Sequence, residues 1–151
     1  MNYDLMARQL RELAAEEGWY VPLLSNASAL IYDALPDLNW AGFYLMRGGE
    51  LVLGPFQGKP ACIHIAPGKG VCGTAAAQDR TQRVPDVHQF PGHIACDSAS
   101  NSEIVIPLHQ NGQVIGVLDI DSPKFDRFSE DDQAGLEQLV RVIEDGLRID
   151  F

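Results

Sequence analysis

The sequence predicts an α+β domain in which N- and C-terminal helices flank an antiparallel sheet. Three observations predict it. Apolar residues recur at helical spacing near both ends, segments between them read as hairpins, and no repeat or low-complexity stretch suggests a second unit. The 151 residues are most simply one domain over 1–151, long enough to bury a substantial core.

Over 3–17, Tyr3, Met6, Leu10 and Leu13 share one helical face, with charged residues opposite. A second helix over 20–35 aligns Leu24, Ala27, Ile31 and Ala34. It closes before Pro36, because proline disfavours helical geometry in the residue preceding it. Residues 39–46 and 51–53 read as a hairpin around Gly48-Gly49. From 54 to 101 the chain reads as irregular, punctuated by Gly68, Gly70, Pro85, Pro91 and Gly92, with a helix only over 71–78. So long an ordered loop in a compact domain is usually functional. Strands over 103–109 and 114–121 follow. The last helix is capped by Ser129, with Asp132 three residues on, and turns Leu136, Leu139, Val140, Ile143 and Leu147 inward.

The second hairpin permits a sharper expectation. A two-residue turn at Asn111-Gly112 would pair 104 with 119 and mix apolar and acidic residues on both faces. A three-residue loop over Gln110, Asn111 and Gly112 instead pairs 103 with 119, 104 with 118 and 106 with 116. One face then carries Ile104, Ile106, Leu108, Val114, Gly116, Leu118 and Ile120. The other carries Glu103, Val105, Val117, Asp119 and Asp121.

That second face gathers three carboxylates at one end of the hairpin. Opposed like charges cost a sheet pair roughly 0.2–1 kcal/mol. They relieve it by sharing a proton, binding a cation or receiving a cationic ligand group. The bland alternative is a solvated strand end in an acidic protein. A carboxyl with a raised pKa here would serve as a general acid, and its neighbour would hold an ammonium.

Net charge is −10, which repels phosphate backbones and anionic lipid, so neither nucleic acid nor membrane is an expected partner. No run approaches the ~18 apolar residues of a membrane span. The start, Met1-Asn2-Tyr3-Asp4, does not read as a secretory leader, and three cysteines make no even disulfide framework. A reducing, cytoplasmic setting is therefore expected. Cys62, Cys72 and Cys96 share one loop-rich stretch with His64, His88 and His93. The turn signals from Phe90 to Asp97 set Cys96 on an exposed loop, where a thiol is usable.

Each cysteine has a plain reading as a small buried hydrophobe, strongest for Cys72 in Val71-Cys72-Gly73. A zinc site is a competitor: His88, His93 and Cys96 stand five and three residues apart, and Cys62 or Cys72 would complete a tetrahedron. The spacing matches no common zinc module, and the four histidines, His109 included, otherwise read as surface residues. A Cys-His-Asp hydrolase fits the residue types but carries no accompanying signature. Trp40 and Tyr44, on one face of the first strand, suit the walls of a small apolar slot, while Phe43 reads as core.

Seven motifs then occur in order: Trp40-Ala41-Gly42-Phe43-Tyr44, Gly54-Pro55-Phe56-Gln57-Gly58, Gly70-Val71-Cys72-Gly73, Val84-Pro85-Asp86-Val87, the segment from Phe90 to Asp97, Ser102-Glu103-Ile104-Val105, and the segment from Gly116 to Ser122. Together they closely resemble the free methionine-(R)-sulfoxide reductases, single-domain proteins with a GAF fold, over about residues 1–149. The resemblance implies that Cys96 is the nucleophile attacking the sulfoxide sulfur. It implies that one acid of the cluster protonates the oxygen, leaving a sulfenic acid on Cys96. A second cysteine would condense with it to a disulfide that thioredoxin reopens. Cys62 is the expected resolving thiol, with Cys72 the alternative or a relay. Trp40 and Tyr44 would border the substrate methyl. Glu103, Asp119 and Asp121 would divide the sulfoxide oxygen and the ammonium between them, Asp121 and Glu103 leaning to the sulfoxide. No metal and no cofactor are expected, and the terminal helices suit a homodimer. The other class left open is a non-catalytic GAF module sensing a small molecule.

Overall fold

The periodic apolar faces at the two ends of the chain form the first and last helices. In the computed structural model, which describes residues 1–93 and 98–149, α1 (Tyr3–Glu16) buries Met6, Ala7 and Leu10. The second helix, α2 (Tyr20–Ala34), buries Leu24, Ala27 and Ile31. Two more helices follow, α3 (Gly70–Gln78) and α4 (Glu130–Gly146). At the start of α4 the Ser129 hydroxyl accepts from the Asp132 N–H, and the Asp132 carboxylate accepts from the Ser129 N–H, each at 3.0 Å. Such a cap is typically worth about 1 kcal/mol. No helix among the described residues is long and apolar enough to cross a membrane.

The strands are β1 (Trp40–Arg47), β2 (Glu50–Gly58), β3 (His64–Ile65), β4 (Gln82–Val84), β5 (Ser102–Gln110) and β6 (Gln113–Ser122). They form one antiparallel sheet in the order β3-β2-β1-β6-β5-β4. Because side chains alternate across a strand, the sheet has two distinct faces. Ala41, Phe43 and Leu45 join Ile104, Ile106, Leu118 and Ile120 against α1, α2 and α4 in the main core. Trp40, Tyr44, Val105 and Val117 face the other way, into a smaller cluster under α3.

Two expectations are corrected. The hairpin between β5 and β6 turns on two residues, not three: Gln110 pairs with Gln113 across Asn111 (φ 54°) and Gly112 (φ 76°). Both sit in the left-handed region that a tight two-residue hairpin turn demands and that Asn-Gly supplies. A bulge next to His109 then shifts the register, so Ile104 faces Ile120, Ile106 faces Leu118 and Glu103 faces Asp121. The expected and observed registers differ by two residues, which leaves the same side chains on each face. The apolar pattern thus fixed the faces while the turn chemistry and a bulge set the pairing. The second correction concerns 54–101, which is less irregular than its glycines and prolines imply. The second strand runs on through Gly54-Pro55-Phe56 to Gly58, its register against β1 shifting between Gly42 and Tyr44. Pro55 is tolerated because bonding on the β3 side reaches only as far as Leu53, whose N–H donates to the Ile63 carbonyl, so at Pro55 β2 is an edge needing no donor on that side. Gly42 accommodates this stretch: a Cβ there would lie 2.2 Å from that of Phe56.

One polar cluster ties the elements together far from the cavity described below. On β5, His109 bonds through one ring nitrogen to Asp79, just past α3, and through the other to Glu144 of α4 (2.8 Å). Burial alone would lower its pKa, but the hydrogen bonds and charges of Asp79 and Glu144 outweigh it and raise the value. A raised histidine contributes stability that is full below the unfolded value near 6.5 and lost as pH rises through the folded one. The ring is 36% exposed, so solvent screening holds the contribution below about 1 kcal/mol. We expect His109→Ala to lower the melting temperature at pH 6 and the difference to shrink by pH 9, followed by thermal unfolding across that range.

Candidate active site

The β5–β6 register and the alternation of β1 assemble the site on the smaller face. Trp40 pairs with Asp121, which pairs on its other side with Glu103; one row further, Gly42 pairs with Asp119, which pairs with Val105. Four expected site residues (Trp40, Glu103, Asp119 and Asp121) therefore sit side by side. With Tyr44 and Cys72 they line one cavity roofed by the start of α3. All three carboxyl groups are buried, none more than 9% exposed.

Burial decides the electrostatics. Three ionised carboxylates cannot share a low-dielectric wall, so at least one must keep its proton. Burial first, then the charges of Asp119 and Asp121, push Glu103 well above the usual carboxylate range, and it hydrogen-bonds to both neighbours. Burial also raises Asp119, against hydrogen bonds from Glu103 and Cys72 that favour its charged form. Glu103 is thus the carboxyl that this environment most favours in its protonated form. The buried Oδ1 of Asp119 has no hydrogen-bond partner among the described residues.

The aromatic wall is more tightly built than the sequence implied. Trp40 stacks on Tyr44 (centroids 5.9 Å, 25° between planes) and on Phe56 (5.1 Å, 15°). Phe56 was missed because β2 was expected to end before it; its place in the second motif was the available signal. Both polar handles point to the chain segment that carries Cys62. The Trp40 Nε1–H donates to the Lys59 carbonyl (3.1 Å), and the Tyr44 hydroxyl donates to the Cys62 carbonyl (2.9 Å). Lys69 also lines the cavity, as do Gly70 and Val71 at the start of α3. The first N–H groups of a helix lack intrahelical acceptors, and α3 has no side-chain cap. This donor edge was not anticipated, since Gly68 and Gly70 read only as loop punctuation.

The cysteines fall into different states. Cys62 is half-buried and disulfide-bonded. Cys72 is free and buried, its Sγ 4.0 Å from Glu103 Oε2. Burial, then the negative charge of Asp119 and Glu103, push its thiol well above the ordinary range. Since the thiolate is the nucleophile, this environment disfavours the reactive form of Cys72. Of the donor set weighed for zinc, the His88 and His93 rings lie edge to face with centroids 6.2 Å apart, while Cys96 is outside the described residues. His88 Nε2 bonds to Asn101 Oδ1 (2.9 Å), and His93 lines the cavity.

Comparison with known proteins gives a consistent picture. The family model described as a GAF domain matches residues 23–148. The free methionine-R-sulfoxide reductase of Escherichia coli (strain K12) is 56% identical over 142 residues, covering 94% of this chain and 86% of that protein. The solved structure of fRMsr of Staphylococcus aureus in complex with substrate is 54% identical with a TM-score of 0.92. That match covers 97% of this chain and 96% of the other. The free methionine-R-sulfoxide reductase from Neisseria meningitidis in complex with its substrate is 43% identical with a TM-score of 0.91, covering 95% and 86%.

Proposed function

This chain belongs to the GAF-domain family of free methionine-R-sulfoxide reductases, and from that premise we propose that it reduces free L-methionine (R)-sulfoxide to methionine. The observation that carries the reading is the set of three buried carboxyl groups, Glu103 with Asp119 and Asp121, on the wall of an aromatic-lined cavity, with burial and its neighbours pushing Glu103 well above the usual carboxylate range. The Cys96 thiolate attacks the sulfoxide sulfur while Glu103, aided by Asp121, protonates the oxygen. Oxygen passes to the cysteine: methionine sulfur is reduced by two electrons, and Cys96 becomes a sulfenic acid. The Cys62 thiol condenses with it, expelling water and forming a disulfide that a dithiol reductant such as thioredoxin reopens. That Cys62 is the disulfide-bonded cysteine, while Cys72 is a free thiol with a raised pKa, supports this choice of resolving residue. No cofactor is required, and the reducing cytoplasm is the proposed setting. Exposed Leu5 on α1, Val21 on α2 and Trp19 between the two helices support a homodimer.

Recognition of the free amino acid follows from both its ends. The ammonium meets Asp119, whose unpartnered Oδ1 needs a cation. The carboxylate meets the uncapped start of α3 and Lys69, a place where helix geometry favours an anion. An acylated or peptide-bound sulfoxide brings no ammonium and leaves a buried charge uncompensated, which makes the exclusion strong. The test is reduction of separated sulfur epimers of free and N-acetyl methionine sulfoxide with dithiothreitol or thioredoxin. Turnover of the free R epimer alone is expected. Equal turnover of the N-acetyl compound, or none of either, would overturn the reading.

Tyr44 has a second role in this scheme, through its bond to the Cys62 carbonyl. Tyr44→Phe keeps the ring that walls the slot but releases the segment bearing the resolving thiol. A neutral hydrogen bond is worth about 0.5–1.5 kcal/mol. We therefore expect disulfide formation to slow about 2- to 12-fold while methionine formation in a single turnover is unchanged. Trapping the sulfenic acid with dimedone would show its longer lifetime.

A further inference from the structure

We propose that Cys72, Glu103 and Asp119 form a binding site for a thiophilic divalent cation, zinc in particular, on the inner wall of the cavity. The Cys72 sulfur and one oxygen from each carboxyl group all lie within 4.8 Å of one another, and all three residues are buried. The Sγ to Oε2 separation is 4.0 Å. Tetrahedral zinc, with bonds of about 2.3 Å to sulfur and 2.0–2.2 Å to oxygen, sets such donors about 3.5 Å apart. That pair needs a closure of about half an ångström, and the pairs with Asp119, within 4.8 Å, at most about 1.3 Å. The second, independent observation is the Asp119 Oδ1, buried on the cavity wall and without a hydrogen-bond partner among the described residues. A buried carboxylate oxygen left unpaired is costly, and a cation is the partner its charge calls for.

Donor chemistry selects the ion. Magnesium and calcium prefer all-oxygen shells, whereas one sulfur with two carboxylate oxygens favours zinc and its chemical relatives. Three protein ligands leave the fourth position open to the cavity. The sulfur belongs to the cysteine that the proposed chemistry leaves idle. A cation held there occupies Asp119, which would receive the substrate ammonium, and Glu103, which would protonate the oxygen, so it would compete with substrate. That consequence rests on the reductase reading, whereas the site itself does not.

Cobalt(II) is the probe, because it substitutes for zinc and reports its ligands by absorption. The full-length Cys62→Ser/Cys96→Ser variant keeps Cys72 as its single cysteine. We expect cobalt to give a near-ultraviolet thiolate-to-metal band and visible bands of four-coordinate intensity, both displaced by zinc. Adding Asp119→Asn should weaken cobalt binding at least ~10-fold, as losing even an indirect partner of a metal does. Zinc should also raise the melting temperature of the double variant, and less so once Cys72→Ser is added. No thiolate band in a folded double variant, or an undiminished band with Asp119→Asn, would overturn the proposal. Should Asp119→Asn not fold, Glu103→Gln makes the same comparison. Because the readout is spectroscopic, an inactive enzyme with an intact cobalt band separates failure of the reductase reading from failure of the site.

Discussion

Replacing Glu103 with glutamine is expected to cost activity and gain stability at once. The carboxamide keeps the shape and can donate to Asp119 and Asp121 as the protonated acid does, but it has no proton to give. Loss of a positioned general acid typically lowers rates by about 10²–10⁴, and kcat/KM for free methionine (R)-sulfoxide should fall within that range. The stability effect has a definite sign. Glu103 is raised on folding, chiefly by burial and then by Asp119 and Asp121. Such a group contributes stability that is full below the unfolded value near 4.5 and lost as pH rises through the folded one. Glutamine does not titrate, so Glu103→Gln should match the native chain in acid and become the more stable protein as pH rises. At alkaline pH the gain should reach the order of the roughly 0.2–1 kcal/mol that opposed like charges cost in a sheet. Native activity should decline over the same rise in pH, as the acid loses its proton. Melting curves and kcat/KM measured together across pH check both halves. A variant that is inactive and also destabilised throughout would show that Glu103 serves the fold, not the proton transfer.

The cysteine series is expected to separate three roles. Cys96→Ser should abolish turnover, because a serine hydroxyl is no substitute for a thiolate that both attacks sulfur and accepts its oxygen. Cys62→Ser should still form methionine once per enzyme, then stall with thioredoxin, for want of the disulfide that thioredoxin attacks. Cys72→Ser should turn over with thioredoxin at close to the native rate, since burial and the charges of Asp119 and Glu103 disfavour the thiolate of Cys72. Quenched-flow measurement of methionine released per enzyme, beside steady-state thioredoxin oxidation, distinguishes these outcomes. A stalled Cys72→Ser and a recycling Cys62→Ser would exchange the two assignments.

Much of this was legible in the chain. Periodicity alone places α1, α2 and α4, because burying one face of a helix requires apolar residues at that spacing and little else. The two faces of the β5–β6 hairpin were legible for the same reason, including the grouping of Glu103, Asp119 and Asp121 away from Ile104 and Ile120. What periodicity does not encode is translation along the strand. The pairing of Glu103 with Asp121 depends on a bulge next to His109, and a shift of two residues leaves every face unchanged.

The rest needed the tertiary structure, because it arises between segments far apart in the chain. Nothing in Gly70-Val71-Cys72 announces that α3 sets Cys72 against Glu103, thirty-one residues later. Nor does Gly54-Pro55-Phe56 announce a third plate behind Trp40. The sequence by itself determined which residue types carry the chemistry and which sheet face they occupy. Only the packed structure decided which carboxyl is pushed well above its ordinary range, which thiol lies free and buried, and which carbonyl Tyr44 holds. Those outcomes depend on burial and on distances of a few ångströms, and both exist only once the elements have come together.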